Sequence, residues 1–360
     1  MQTRVHRFPC AGPDDMAPLR DALAANILQA ENVVAVLGKT EGNGCVNDFT
    51  RAFATTVLKR FFADALSLPE ADVAERIAFV MSGGTEGGLS PHWLVFEVVE
   101  NDAVGTDESG LAAGIAFTEE FRPEDIGRMT QVQATAAAVR RAMAQAGIRD
   151  PQDAHYVQIK CPLLTAARCE DARRRGAALI TTDTYESMGY SRGASALGVA
   201  LALGELDEAQ LNEADICHDY SLYSGCASTS AGIELMRNEI LVLGNAPGWD
   251  ASLRISHDVM ADALDGDALA RALARLEAPG EMAALLVKAE PSRSGEIRGR
   301  RHTMWDDSDI NATRHARALV GGVLAGRVGD TALFVSGGAE HQGPDGGGPL
   351  AVIVGRGASA

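Results

Sequence analysis

The sequence predicts an α/β protein made of three pseudo-equivalent α/β repeats around a pseudo-threefold axis, with a sheet-lined core and a polar centre. Three observations point there. A short cluster occurs three times: Ser82-Gly83-Gly84-Thr85-Glu86, Ser230-Ala231-Gly232-Ile233-Glu234 and Ser336-Gly337-Gly338-Ala339-Glu340. Upstream of each, a short apolar run ends in a lysine: Val33 to Lys39, Tyr156 to Lys160 and Ala284 to Lys288. Between lysine and serine, each copy carries an arginine at the head of an Ala/Leu-rich helical stretch: Arg51, Arg192, and either Arg314 or Arg317. A repeat of about a hundred residues is too long for a solenoid unit, so three units closing about an axis fit better than an open doubly wound sheet. Closed in this way, their lysines, arginines and serines meet in one pocket.

Each unit reads as strand, helix, lysine strand, arginine helix, serine strand and closing strand. The first unit, 1–103, opens with a strand near Arg4 to Phe8 and a helix from about Asp14 to Ala25. Lys39 follows the next strand, a helix starts at Arg51 and passes Phe61 and Phe62, and Ile77 to Met81 delivers Ser82. Leu94 to Val99 closes the unit, and the acidic, Gly-containing residues 100–110 read as a linker. The second unit, 111–249, opens with Leu111 to Phe117. Its helix covers about Thr130 to Ala146, where Val132, Ala136, Val139, Met143 and Ala146 recur at helical spacing. The strand before Ser230 is weakly written, as Gly225 to Thr229, and Glu239 to Leu243 closes. The third unit, 252–360, opens near Leu253 to Val259, with a helix from about Asp267 to Leu276. Thr331 to Val335 delivers Ser336, and Leu350 to Val354 closes.

Composition narrows the function. The 360 residues carry a net charge of -17, from 32 basic and 49 acidic side chains, which argues against binding to a nucleic-acid backbone. The most apolar stretch, Ala196 to Leu203, is too short to span a membrane, and the N-terminus lacks the apolar segment of a signal peptide. The expected location is the cytoplasm. The six cysteines show no Cys-x-x-Cys pair and no zinc spacing, and are expected as free thiols. Cys45, Cys161 and Cys226 fall near the repeated motifs, but none has an equivalent in the other copies. Without His-x-His or His-Glu-x-x-His, a metal-dependent amidohydrolase barrel is disfavoured. No glycine cluster sits between strand and helix as nucleotide binding requires.

A serine followed by small residues at a strand end exposes its Oγ and leaves backbone N–H groups free, which suits a nucleophile beside an oxyanion hole. Read alone, one such Ser-Gly-Gly is a tight turn; three copies, each with a lysine and an arginine, favour chemistry. Lysine is a poor base at its ordinary pKa, about 10.4, and becomes useful where burial and neighbouring cations favour the neutral amine. Ser–Lys pairing is a variant of the Ser–His–Asp arrangement. The arginines would serve as forks for carbonyl or imide oxygens. Nothing in the residues alone says which of the pairs Lys39–Ser82, Lys160–Ser230 and Lys288–Ser336 reacts. The loop Glu340 to Pro349 reads either as a turn or as inward carbonyls that Glu290 could complete into a hard-cation site.

Gly38 to Asp48, Met81 to Gly87, Ser187 to Gly193 and Ser336 to Pro344 resemble the cyanuric acid hydrolase/barbiturase family, more closely its cyanuric acid hydrolases. The resemblance spans essentially the whole chain. It implies three structural repeats with a ring substrate at the centre, and hydrolytic opening of cyanuric acid to carboxybiuret, which loses carbon dioxide to give biuret. It implies Lys160 as base and Ser230 as nucleophile. Substrate would be bound by Arg51, Arg192, Arg317, Ser82, Gly83, Ala231, Ser336 and Gly337, with Lys39 and Lys288 polarising it. A structural magnesium or calcium would map to Glu290, Ala339, Gln342, Gly343, Pro344 and Gly347, with no catalytic cofactor. A homotetramer is also implied. Barbiturase activity, or a non-catalytic protein binding cyclic imides, are the alternatives. The substrate itself suggests why the fold is triplicated: cyanuric acid has three carbonyls and three ring N–H groups. An unmatched buried polar group would cost about 1–3 kcal/mol.

Overall fold

A computed structural model describes residues 1–101 and 109–357, so most of the expected linker 100–110 lies outside the described residues. The first sheet holds β1 (Gln2–Pro9), β2 (Val33–Thr40), β3 (Ala78–Gly83) and β4 (His92–Val99) in the order β1-β4-β2-β3. The second holds β5 (Gly110–Phe117), β6 (Ala154–Pro162), β7 (Ala227–Gly232) and β8 (Glu239–Ala246), ordered β5-β8-β6-β7. The third holds β9 (Leu253–Met260), β10 (Pro279–Ala289), β13 (Phe334–Gly337) and β14 (Gly348–Arg356), ordered β9-β14-β10-β13. The topology is therefore the same three times: opening, closing, lysine and serine strands side by side. Only the lysine–serine pairing is parallel, and its register sets Lys39 opposite Ser82, Lys160 opposite Ser230 and Lys288 opposite Ser336.

Strand alternation then decides where those side chains point. On β2, Val36 packs outward in a cluster with the helix α2 (Phe49–Leu66), while Ala35 and Leu37 face a shared central core. Lys39 has the parity of Leu37. Ser82 likewise follows Ala78 and Val80, Lys288 follows Ala284 and Leu286, and Ser336 follows Phe334, all of that same core. The central core draws on all three sheets, among them Phe96, Tyr156, Leu243, Ile255 and Ile353. Each sheet's other face is covered by helices: α2 on the first, α4 (Met129–Ala146) and α6 (Thr184–Leu203) on the second, α7 (Asp267–Ala274) and α8 (Ala312–Val328) on the third. In the first and third units the lysine and serine are thus the last inward residues of strands whose earlier inward residues build the axis.

The three arginine helices begin alike. Asp48, Asp183 and Asn311 each cap a helix N-terminus by accepting a hydrogen bond from a backbone N–H of the first turn: Thr50, Glu186 and Thr313. Two of them, α6 and α8, end at left-handed glycines, Gly204 and Gly329. Three details differ from the sequence expectation. Arg192 lies in the middle of α6 rather than at its head, because the Asp183 cap starts the helix well before the Ala/Leu-rich stretch. The serine strand β13 begins at Phe334, not Thr331. A polar helix α5 (Ala166–Arg175) and a hairpin of β11 (Glu296–Ile297) with β12 (Arg300–Arg301) are additional. Two short helices, α1 (Ala17–Ala24) and α3 (Glu70–Ala74), complete the first unit. Among the described residues, no helix is long and apolar enough to cross a membrane.

Candidate active site

The three units bring Arg51, Ser82, Gly83, Arg192, Ser230, Ala231, Arg317, Ser336 and Gly337 to one cavity, joined by Gly44 and Met188. The cavity adjoins a wider cleft past Tyr185, Asn311 and Thr313. The three lysines lie beneath it, fully buried. Lys39 Nζ donates to Ser82 Oγ at 3.4 Å, and Lys288 Nζ to Ser336 Oγ at 3.1 Å, with further bonds to the carbonyls of Thr229 and Gly337. Lys160 differs. Its Nζ donates to Met81 O across the unit boundary at 2.7 Å and pairs with Glu234 at 2.9 Å. Ser230 Oγ lies 3.0 Å from Ser336 Oγ, a contact between two serine strands from different units.

Burial is the main force on all three amines, since an ammonium loses its hydration there. It drives Lys39 well below the usual lysine range, with the Arg317 guanidinium adding to the effect. Burial, with Arg192 beside it, brings Lys288 down to about 7. Lys160 is lowered too, by burial, while the Glu234 carboxylate works against the shift and Arg51 with it. At Lys39 and Lys288 the shift favours a neutral amine next to a serine hydroxyl.

Each arginine reaches across to another unit, and Arg51 is also held within its own by Asp48 at 3.5 Å. Arg317 makes a bidentate pair with Glu86 (2.9 and 2.6 Å), and Arg192 one with Glu340 (2.7 and 2.6 Å). Both pairs use Nε and Nη2, which leaves Nη1 for a ligand. Arg51 donates instead to Ala231 O at 2.8 Å and to Cys45 O. Of the two candidates for the third arginine, Arg317 is buried and lines the cavity, whereas Arg314 is 37% exposed and touches Glu86 at 3.2 Å from outside. The repeated glutamates that fix the arginines stand in the sequence motif itself. Met188 and Asp48, which holds the Gly44 N–H at 2.8 Å, carry no such signal.

No cysteine lines the cavity itself, though Cys45 lines its extension toward the wider cleft. Cys161 and Cys226 are buried, and burial raises both thiols, well above the usual range for Cys226. His341 is a buried structural residue: its Nε2 accepts from Cys217 N at 2.7 Å, and its Nδ1 donates to Leu222 O at 2.6 Å.

The loop after Ser336 gathers four of the six expected cation ligands, Glu290, Ala339, Gly343 and Pro344, around a second cavity. Glu290 is half-buried there, accepting from Thr313 Oγ1 at 2.9 Å and Gly338 N at 2.7 Å. Burial and the neighbouring Glu340 push its carboxyl up to about 7, a crowding of negative charge that a cation would relieve. The Gln342 side chain is committed elsewhere, to Thr229 N and the carbonyls of Gly338 and Glu340, so only its carbonyl could serve. Among the described residues no three His, Cys, Asp or Glu side chains form a metal cluster; a cation here would depend on carbonyl oxygens. On those terms the residues present fit one.

Comparisons with known proteins agree with this geometry. Residues 4–355 match the model of the amidohydrolase ring-opening protein family. A cyanuric acid amidohydrolase of Ectopseudomonas oleovorans is 64% identical, over 98% of this chain and 99% of its own length. One from Enterobacter cloacae is 54% identical over 98% and 99%. The crystal structure of cyanuric acid hydrolase from A. caulinodans superposes with a TM-score of 0.93 at 55% identity, covering 99% of both chains. A cyanuric acid hydrolase structure described as evolutionary innovation by structural concatenation gives 0.95 at 50% identity, covering 98% and 99%. With the family model spanning nearly its whole length, this chain belongs to the ring-opening amidohydrolases.

Proposed function

We propose that this protein is a cyanuric acid amidohydrolase, opening the ring by attack of Ser230 with Lys160 as base. The broader statement, a hydrolase of cyclic-amide C–N bonds, follows from the family. The observation that carries the finer reading is the convergence of three serines and three arginines from three units on one cavity, in a chain 64% identical to an enzyme of that name. Such a cavity matches a ring with three carbonyls and three N–H groups, so every buried polar group of the ligand can find a partner.

In this reading neutral Lys160 takes the Ser230 proton as Oγ bonds to a ring carbonyl carbon. The oxyanion is held by backbone N–H groups and by the serines of the partner units. The ring C–N bond then breaks as the Lys160 ammonium returns the proton to the leaving nitrogen. Water attacks the acyl-enzyme, frees Ser230 and releases carboxybiuret, which loses carbon dioxide to give biuret. The pairs Lys39–Ser82 and Lys288–Ser336 bind and polarise the other two edges, and the Nη1 atoms of Arg192 and Arg317 with Arg51 take the carbonyl oxygens. Residues 1–103, 111–249 and 252–360 are taken as the three units. A magnesium or calcium held by Glu290 and the carbonyls of Ala339, Gln342, Gly343, Pro344 and Gly347 would neutralise charge behind the cavity. Assembly as a homotetramer belongs to the same reading, and light scattering reads it directly.

The test is turnover of cyanuric acid and barbituric acid side by side, following biuret or carbon dioxide from the first and ureidomalonate from the second. Preference for cyanuric acid supports the reading. Preference for barbituric acid would make the protein a barbiturase, and tight binding of either ring without hydrolysis would make it a binding protein.

A further inference from the structure

The fifth position of the repeated motif is a glutamate in all three copies, and the reaction above gives it no part. In two copies it makes the same contact across a unit boundary: Glu86 of the first unit grips Arg317 of the third, and Glu340 of the third grips Arg192 of the second. Symmetry would have Glu234 of the second unit grip Arg51 of the first. It does not. Glu234 turns back into its own unit and pairs with Lys160 at 2.9 Å, while Arg51 bonds backbone carbonyls.

The backbone around the break differs from that of the other two copies. Where the other copies have Gly83 and Gly337, the second has Ala231, and its strand runs on through Gly232 instead of stopping one residue earlier. Gly84 and Gly338 take left-handed turns at φ +104° and +79°. A Cβ at Gly232 would fall 2.1 Å from Glu234 Oε2, as one at Gly84 would fall 2.5 Å from Glu86 Oε2, so both carboxylates lie close against a glycine. Helix α5, which among the described residues has no counterpart between the lysine strand and arginine helix of the other units, supplies a brace. Its Arg168 donates to the carbonyls of Ile233 at 2.9 Å and Leu235 at 3.0 Å, on either side of Glu234.

From this geometry we infer that Glu234 is a positioning residue, whose ion pair with Lys160 singles out one of three lysine–serine pairs as the reacting one. The inference rests on Lys160 and Ser230 being that pair. Lys160 is faced by Glu234, by Arg51 from α2 and by Cys161 on its own strand; Glu234 is faced in turn by Arg51, Arg168 and Glu239. The carboxylate offsets part of the burial and of the Arg51 repulsion, so the amine stays basic enough to take a hydroxyl proton. Glu234 itself remains ionised and stabilises the ammonium that forms.

The test is the pH dependence of kcat and kcat/KM for the wild type, Glu234→Gln and Glu86→Gln. Activity requires the neutral amine, so it falls on the acid side as Lys160 protonates. Removing the Glu234 charge lets the amine stay neutral to lower pH. The acid limb of Glu234→Gln should therefore move down by about one unit or more, and its plateau kcat should fall about tenfold or more. Glu86→Gln, the symmetry equivalent on Arg317, should raise KM and leave the limb in place. An unmoved limb in Glu234→Gln, or an equal shift in Glu86→Gln, overturns the inference. Should Glu234→Gln fail to fold, Glu234→Ala, which also removes the charge, carries the same comparison, and an unmoved limb there overturns it too. A fully active Ser230→Ala refutes the underlying pair instead; an inactive Ser230→Ala with an unmoved limb removes only the role of Glu234.

Discussion

Replacing Arg317 with methionine separates it from its neighbour Arg314 on the same helix. Both guanidiniums reach Glu86, yet their settings differ. The Arg317 side chain is 3% exposed, makes two bonds to the carboxylate and a third to Asn43 O at 3.2 Å. Removing one partner of such a buried pair costs about 3–5 kcal/mol, because the other charge is left buried. Arg314 stays within reach of Glu86, so the lower end of that range is expected. The Arg314 contact is a single bond at 3.2 Å from a side chain 37% exposed, and pairs of that kind are worth about 0–1 kcal/mol. Urea unfolding and steady-state kinetics on Arg317→Met and Arg314→Met provide the comparison. Arg317→Met should unfold at clearly lower urea and, losing a charged bond to substrate worth about 1.5–3 kcal/mol, raise KM by roughly tenfold to a hundredfold. Arg314→Met should do neither. Equal costs for the two variants, or an unchanged KM for Arg317→Met, would refute the assignment of the third arginine.

Burial holds His92 down to about 4 and His155 down to about 3, the latter with His257 at 2.8 Å. Both rings are neutral in the fold, whereas the unfolded chain protonates them below about 6.5. Stability should therefore be complete above that pH and decline as pH falls toward the folded values; urea midpoints between pH 7.5 and 5 measure it, and His155→Asn should flatten the slope. If a cation sits behind the cavity, chelation should lower the thermal midpoint of the wild type and leave Glu290→Gln insensitive, as differential scanning fluorimetry would register. Gly232→Ala should push the Glu234 carboxylate off Lys160, lowering kcat while leaving KM near the wild-type value in steady-state assays.

Much of the site was legible because the residues that build it also mark the repeats. An apolar run ending in lysine is an unusual strand, and three of them, each followed by a small-residue serine turn, give both topology and convergence. Alternation along β2 and β10 carries the rest, since Lys39 and Lys288 share the parity of the central core. What escaped the sequence lacked an apolar signature. Helix α5 is written Ala-Ala-Arg-Cys-Glu-Asp-Ala-Arg-Arg-Arg and buries only Ala172, so its periodicity says nothing of a helix. Arg192 was misplaced along α6 because the first turns of that helix are polar and contain Gly189, which hides its start at Asp183. The break in symmetry at Glu234 leaves no mark in the motif, since all three copies carry a glutamate there and a glycine two residues before it.

The nucleophile assignment is tested most directly by stopping the reaction with acid during turnover of cyanuric acid and locating the acyl group by peptide mass spectrometry. A ring-opened substrate fragment bound to the peptide containing Ser230, and absent from those containing Ser82 and Ser336, is the predicted result. An adduct on Ser82 or Ser336 would contradict it, because the pair that reacts would then lie in another unit.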